Sequence, residues 1–433
     1  MAVEPFERLT SPENLYWAWG KVRRYYETTD AWFNEAEVAA FEVNLEAELG
    51  KIRGQFQSKH YRTAPLLPLP QPKAPDKEGR PRVRQAFWVS VADQVAWIAL
   101  VNVIGPQIEA HMPVWSYGNR LYRPAWFEDA GPHPTLKIGP FRHSPGLLYR
   151  KFQHTWPLYR RHIYLTLRQM SQRKLRREVP LAQAEEMTLQ VEERLDEANR
   201  LPYLRPDFWR STVTSPYWAS FDLEKFYPRV SLECIKRNAR AFCADAPDVV
   251  GTLLDDLMHF RLDLTGWSSA ELGRIDLDPG TVEFEHIPTG LMAAGFLANV
   301  ALLAVDHAVA KKVQDSQIAH FRYVDDHVVL AQDFESLDAW IRQYEVLLAE
   351  HGVGTTFNAE KFEPEEFGKY YRTNSSNDAQ SSMLELKKEA KRRCALDAKF
   401  PAPLMTKTLG RISEVGRTDF NLLDDREQEA ALS

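Results

Sequence analysis

Two adjacent acids, Asp325 and Asp326, stand between two apolar runs in His320-Phe321-Arg322-Tyr323-Val324-Asp325-Asp326-His327-Val328-Val329-Leu330. Aspartate is depleted in strands, and neighbouring like charges in a half-buried hairpin oppose folding. A positive partner is therefore expected at this turn, and divalent metal ions are the first candidates. A further acid, Asp222, ends the apolar run Trp218-Ala219-Ser220-Phe221. Alone, it reads equally well as a cap for the helix that follows. Together with the Asp-Asp pair it supplies a second source of carboxylate. Two such sources can hold two Mg²⁺ ions roughly 3.5–4 Å apart, clamping the attacking and leaving oxygens of an in-line phosphoryl displacement. Hard oxygen donors without a local His or Cys set favour Mg²⁺ over zinc, with Mn²⁺ as its substitute.

Those acids need a scaffold that brings distant segments together. Residues 217–230 hold a short strand ending at Asp222, residues 291–309 a long apolar helix, residues 318–331 a hairpin and residues 337–351 an amphipathic helix. Strand, helix, hairpin and helix in that order predict an α+β sheet with helices packed on one face. Upstream, residues 12–50 read as helices, residues 64–81 as a proline-rich extended loop and residues 83–104 as an apolar run of helix length. Residues 113–148 read as irregular, residues 180–198 as an acidic amphipathic helix and residues 382–433 as helical, with a basic patch at 387–393. No internal repeat or low-complexity tract is visible.

At 433 residues, two or three packed subdomains are expected. An apolar fraction of 44% and a charged fraction of 26% are those of a globular chain. No apolar run reads as a membrane span, and the first residues lack a signal-peptide pattern. Cys234, Cys243 and Cys394 have no metal-ligand spacing, so a reducing cytoplasm is the default expectation. The net charge of −6 hides a segregation along the chain. Residues 137–177 carry eleven Lys or Arg and no acid, interleaved with Phe141, Tyr149, Phe152, Trp156, Tyr159 and Tyr164. Cations such as Arg150, Lys151, Arg160, Arg161, Arg173 and Lys174 could neutralise phosphates while the rings stack on unpaired bases. The alternative is a helical hairpin with a solvated charged face and its aromatics in the core.

Phe221-Asp222-Leu223-Glu224-Lys225-Phe226-Tyr227 resembles polymerase motif A, and Ile287-Pro288-Thr289-Gly290 with Phe296-Leu297-Ala298-Asn299 and Asp306 resembles motif B. Tyr323-Val324-Asp325-Asp326 resembles motif C of reverse transcriptases, and Phe357-Asn358-Ala359-Glu360-Lys361 the lysine-bearing motif D. Upstream, Pro72-Lys73, Arg82, Arg84, Asp93-Gln94-Val95 and Ser116-Tyr117-Gly118-Asn119-Arg120 resemble the fingers of bacterial and group II intron-like reverse transcriptases. The resemblance implies a right-hand polymerase: N-terminal helices (1–50), fingers (51–135), a basic aromatic insertion with an acidic helix (136–200), a ferredoxin-like palm with motifs A–D (201–370) and a helical thumb-like region (371–433). It implies Asp222, Asp325 and Asp326 as metal-binding carboxylates, with the carbonyl of Leu223 as a further ligand. It implies Lys73 with Arg82 or Arg84 on the triphosphate, and Lys361 as proton donor to the pyrophosphate. Tyr227, five residues after Asp222, stands where reverse transcriptases place an aromatic that blocks a 2′-hydroxyl; core packing beside Phe226 is the plain alternative.

Motif B departs from the family, with Thr289 for the usual glutamine and Ala294 for the usual serine. Gly290 is kept, and its missing side chain would allow close approach to template–primer. The short remainder after the palm argues against an intron-encoded maturase, and no Val-Thr-Gly signature of retron enzymes is present. By exclusion the chain resembles defence-associated, abortive-infection and unknown-group bacterial reverse transcriptases, whose members often use a dedicated noncoding RNA. The implied partners are an RNA template, dNTPs and a DNA product, with no membrane; a homo-oligomer or a defence-system partner protein is compatible with it. Template-independent or protein-primed synthesis on the same palm, and a non-catalytic RNA-binding scaffold, are the competing expectations. The ending at residues 424–433 reads as a helix cut midway, so a longer native chain is expected.

Overall fold

A computed structural model of the chain describes residues 5–29, 33–73, 82–122, 125–128, 135–138, 146–150, 152–171, 201–205, 207–211, 216–243, 248–357 and 363–366. Three two-stranded ribbons come first: β1 (Leu67–Pro68) with β4 (Phe87–Trp88), β2 (Gln71–Lys73) with β3 (Arg82–Arg84), and β5 (Ala125–Glu128) with β6 (Thr135–Ile138). The main sheet is built from β7 (Tyr217–Asp222), β8 (Ile318–Tyr323), β9 (Asp326–Ala331) and β10 (Glu363–Glu366), in the order β10-β7-β9-β8. Every pair in it is antiparallel. Long helical connections between β7 and β8 and between β9 and β10 make it a split, ferredoxin-like βαββαβ unit.

The helices are α1 (Pro5–Leu9), α2 (Pro12–Thr28), α3 (Glu35–Val43), α4 (Leu45–Gln57), α5 (Val91–Ala110), α6 (Phe152–Ser171), α7 (Phe226–Arg229), α8 (Leu232–Phe242), α9 (Asp248–Leu257), α10 (Ser269–Gly273), α11 (Ala294–Ser316) and α12 (Phe334–Glu350). Side chains alternate between faces along a strand, so residues in lateral register share a face. Phe221, His327 and Arg322 share one face, and Asp222, Asp326 and Tyr323 the other. The first face is closed by α11 and α12. Asp306 of α11 pairs with Arg322, and Tyr344 of α12 lies 6.2 Å from the ring of Phe221 and 5.2 Å from that of His327. His327 fills the hairpin, stacked on Phe221 at 5.1 Å and bonded to His320 at 3.1 Å, and burial pushes its pKa well down.

Several expectations change. The helix expected over residues 83–104 begins only at Val91, where the Ser90 hydroxyl accepts the Asp93 N–H, and the residues before it pair as β3 and β4. Residues 12–50, read as helices, hold α2, α3 and the start of α4, with a break at Asn44 and α4 running on to Gln57. Residues 113–148, expected to be irregular, contain β5 and β6 and a segment that pairs with the edge of β8. Helices do not pack on one face alone: α6 lies against β8 from the other, with Tyr159 at 6.5 Å from Phe321. The helices expected at 180–198 and 382–433, with the basic patch at 387–393, lie outside the described residues.

Contrary to the expectation that no apolar run reads as a membrane span, both α5 and α11 are long and apolar enough, by length and composition, to cross a bilayer. Here 83% of the apolar window of α5 and 72% of that of α11 is buried within the fold, which accounts for their composition.

A buried polar ladder ties α2 to α5. Lys21 donates to Asn102 Oδ1, Asn102 donates to Asn14 Oδ1 at 3.0 Å, and Asn14 donates to the Ala99 carbonyl at 3.0 Å. Burial pushes the Lys21 ammonium down to about 8. The unfolded chain keeps this proton to higher pH, so between the two values it binds more protons than the folded state, and stability rises with pH. Chemical denaturation should therefore show stability climbing from pH 8 to pH 10 by up to about 1.4 kcal/mol per unit. Lys21→Met should flatten that climb; an unchanged slope would exclude Lys21 as its source.

Candidate active site

Asp222 ends β7 directly opposite Asp326, the first residue of β9, and Tyr323 faces Asp326 from the other side. Only Val324 and Asp325 connect β8 to β9. Val324 has φ +62, a conformation that hairpins of this length normally fill with glycine and that a β-branched residue adopts only under constraint.

The constraint is visible. Arg322 is fully buried and holds Asp306 through two contacts, at 2.5 and 3.2 Å. Its remaining nitrogen donates to Asn299 Oδ1 at 2.7 Å and to the Val324 carbonyl at 3.4 Å. Asn299 in turn donates to the carbonyls of Gly118 and Asn119, at 2.9 and 3.2 Å. Burial pushes the Asp306 carboxyl up against the opposing pull of Arg322. The 115–119 segment is laced to β8 by Arg322 N–H to the Trp115 carbonyl (3.0 Å) and Tyr117 N–H to the Arg322 carbonyl (2.9 Å). At Gly118 a Cβ would stand 2.5 Å from a Val324 methyl, so only glycine lets this segment lie against the turn.

Asp222 and Asp325 are half-buried and Asp326 is exposed. Leu223 donates its N–H to the Asp325 carbonyl at 3.2 Å, bringing the end of β7 onto the turn. Among the described residues, no three His, Cys, Asp or Glu side chains converge closely enough to enclose an ion by themselves. The acids instead present an open edge of hard oxygens. That donor set fits Mg²⁺, which takes one or two carboxylates and completes its octahedron with water and substrate phosphates.

Tyr227, on α7, lies within electrostatic reach of Asp325 on this edge and of Arg84 on the upstream ribbon. Burial pushes its phenol up, nearby Asp325 pushes it further, and Asn119 and Arg84 pull the other way. Asn119 reaches the Tyr227 hydroxyl at 3.5 Å. On the β2–β3 ribbon Lys73 stands opposite Arg82 and Gln71 opposite Arg84, so strand alternation puts Lys73, Arg82 and Arg84 on one face. All three are exposed. Cations directly opposite one another weaken a ribbon, and an anion between them reverses the sign.

Gly290 is accounted for differently from the expectation of close approach to nucleic acid. It has φ +118, and a Cβ there would lie 2.1 Å from the Phe87 carbonyl oxygen, so its own chain fills the space. Gln94 clamps the same loop, donating to the Gly290 carbonyl (2.8 Å) and accepting from Met292 N–H (2.9 Å). Tyr149 donates to the Met292 carbonyl and accepts from Phe296 N–H, at 2.8 and 2.9 Å.

The basic aromatic stretch is divided. Trp156 and Tyr159 pack on Tyr323 at 5.0 and 5.6 Å, and Tyr159 on Tyr117 at 5.4 Å, so these rings belong partly to the core. Arg160 is exposed, Arg161 and Arg150 are half-buried, and Arg150 N–H donates to the Arg120 carbonyl. Lys151, Arg173, Lys174 and Lys361 lie outside the described residues. The pairing of Arg322 with Asp306 was not anticipated, although a lone cation in an apolar strand and a lone acid in an apolar helix signal such a pair.

Residues 162–369 match the family model described as reverse transcriptase (RNA-dependent DNA polymerase). The matched span contains Asp222, Tyr227, Gly290, Asp325, Asp326 and Lys361, and leaves Lys73, Arg82, Arg84, Arg150, Lys151, Arg160 and Arg161 outside it. No curated protein matches the chain.

Arg322→Met strands a buried carboxylate and should cost about 3–5 kcal/mol in denaturant unfolding. Adding Asp306→Leu should recover most of that loss, because an apolar pair can replace a buried ion pair. Recovered stability without recovered polymerase activity is the expected result, since the Val324 carbonyl still lacks its donor. Full activity in the double variant would show that the pair serves stability alone.

Proposed function

We propose that this chain, an RNA-directed DNA polymerase by its reverse transcriptase domain, extends a DNA primer on an RNA template by two-metal phosphoryl transfer at Asp222, Asp325 and Asp326. The observation that carries the proposal is the register of β7 against β9. It sets Asp222 opposite Asp326 with Asp325 in the turn beside them, the arrangement needed to hold Mg²⁺ against substrate phosphates. Bound there, the metal pair would supply a polarised 3′-hydroxyl and charge neutralisation at the leaving group. Leu223 brings its backbone to the same edge, and Lys361 is the proposed donor to pyrophosphate. Lys73, Arg82 and Arg84 share a ribbon face that would bind the triphosphate. Tyr227, within electrostatic reach of both Asp325 and Arg84, would exclude a 2′-hydroxyl. Arg150, Lys151, Arg160, Arg161, Arg173 and Lys174 would follow the nucleic-acid backbone.

In this proposal the ferredoxin-like unit is the palm, the β2–β3 ribbon part of the fingers, and residues 371–433 the thumb-like region. The chain would work in the cytoplasm on a dedicated noncoding RNA in antiphage defence, a reading supported by the absent Val-Thr-Gly signature of retron enzymes. Template-independent or protein-primed addition on the same palm is the second reading, motivated by the altered motif B, with Thr289 for the usual glutamine and Ala294 for the usual serine.

The deciding assay supplies purified protein, freed of copurifying RNA, with Mg²⁺, four dNTPs and a DNA primer, with and without a complementary RNA. Product is expected only with RNA, and product without it would overturn templated synthesis. Asp325→Asn with Asp326→Asn should lower the rate by roughly a thousandfold or more, several kcal/mol of lost charge stabilisation. The same variant should melt no lower than the parent, because it removes a like-charge pair. Tyr227→Val should raise rNTP use relative to dNTP by about ten- to a hundredfold, the range of one steric contact. Unchanged discrimination would return Tyr227 to plain core packing.

A further inference from the structure

Phe152 is the most exposed aromatic residue recorded among the described residues, with 57% of its surface open at the start of α6. Exposed single rings are ordinary on a protein surface, but this one is built into a stack. It lies on Trp156, one helical turn along, with centroids 5.6 Å apart and planes 19° from parallel. Both rings meet Tyr323 edge-on, Phe152 at 5.9 Å and Trp156 at 5.0 Å. Thr155, between them, shares a 2.7 Å hydrogen bond with the Tyr323 hydroxyl and fastens the helix to the strand. Tyr323 is in lateral register with Asp326, which is in register with Asp222. The stack therefore stands on the sheet face that carries the carboxylates.

We infer that Phe152 and Trp156 form a stacking ledge for the bases at the 3′ end of the DNA strand being extended. The inference rests on the proposed polymerase site and adds the surface that holds its product strand. The 3′-hydroxyl must reach the carboxylates, so the last few nucleotides of that strand cross the face on which the ledge stands. Trp156 takes one side of the Phe152 ring, and 57% of the residue's surface stays exposed among the described residues, the geometry of a platform on which a base completes the stack. Charge agrees: from Lys137 to Arg177 there is no acidic residue, and Arg160 lies exposed on the same helix. A base has a π-face whatever its sequence, so the ledge accepts any terminal nucleotide, as a polymerase requires.

The test titrates the full chain with a labelled DNA primer annealed to RNA, without dNTPs, and reads affinity by anisotropy. A second primer carries 2-aminopurine at its 3′ end, whose fluorescence is quenched by stacking. Phe152→Ala should weaken affinity about tenfold, as loss of one base–aromatic contact does, and relieve the quenching. The slope of log affinity against log salt should stay the same, because no phosphate contact is removed. Phe152→Tyr should restore both readings, and Phe152→Leu, apolar but without a ring, should not. Parent-like affinity and quenching in Phe152→Ala would overturn the ledge while wild-type primer extension leaves the polymerase site standing. Full rescue by leucine, or a change of oligomeric state in Phe152→Ala with nucleic-acid affinity intact, would overturn it too. Absence of RNA-templated extension by the wild type is the separate result that would remove the polymerase reading itself.

Discussion

The buried pair between Arg322 and Asp306 is the interaction on which the site depends. A guanidinium and a carboxylate withdrawn from water are tolerated only when nearly all their hydrogen-bonding capacity is met in fixed geometry. Here the geometry reaches three parts of the chain. Asp306 and Asn299 come from α11, Arg322 from β8, and Asn299 passes the connection on to the 118–119 backbone. The same guanidinium contacts the Val324 carbonyl, where a β-branched residue is held at positive φ. Backbone strain of that kind, worth about 1–3 kcal/mol, survives only where surrounding contacts overdetermine it. The turn that carries Asp325 is thus shaped from beneath by a network that continues through Asn119 to the Tyr227 hydroxyl.

This arrangement divides the sheet. The face with Phe221, His327 and Arg322 is dry and closed by α11 and α12, and burial there holds His320 down near a pKa of about 3. The opposite face carries Asp222, Asp326 and Tyr323, and among the described residues α6 covers it at β8. Rigid support on one side and carboxylates on the other suit transfer chemistry. The protein supplies placement, and charge can be concentrated where a phosphate arrives. The loop holding Gly290 is fixed in the same spirit by Gln94, Tyr149 and the Phe87 backbone, three contacts from segments far apart in sequence.

Much of this was legible in the residues. The hairpin, the strand ending at Asp222 and the two helices behind the sheet follow from apolar periodicity interrupted by acids in places where strands avoid them. The cations of the β2–β3 ribbon were visible as types, though only strand pairing shows that Lys73, Arg82 and Arg84 share a face. Other readings went astray for identifiable reasons. An apolar run without a break does not tell strand from helix, so the two short strands before Val91 were taken into the helix. A glycine at a motif position suggested room for nucleic acid, whereas a carbonyl of the same chain fills that room. The rings of α6 looked like one class and divide into core and surface, because a helix turns successive residues through both.

The sequence by itself determined the chemistry: which acids, which cations, and an aromatic five residues beyond the first aspartate, since types and spacings are written in the chain. It also set the local elements, whose signals extend over only a few residues. Tertiary structure alone decided what lies opposite what. Whether Asp222 meets Asp326, whether Arg322 finds Asp306, and whether Phe152 stands beside Tyr323 are questions of register and packing between segments distant along the chain. A shift of one residue in a strand pairing would turn Asp222, Arg322 or Tyr323 to the wrong face, away from its partner.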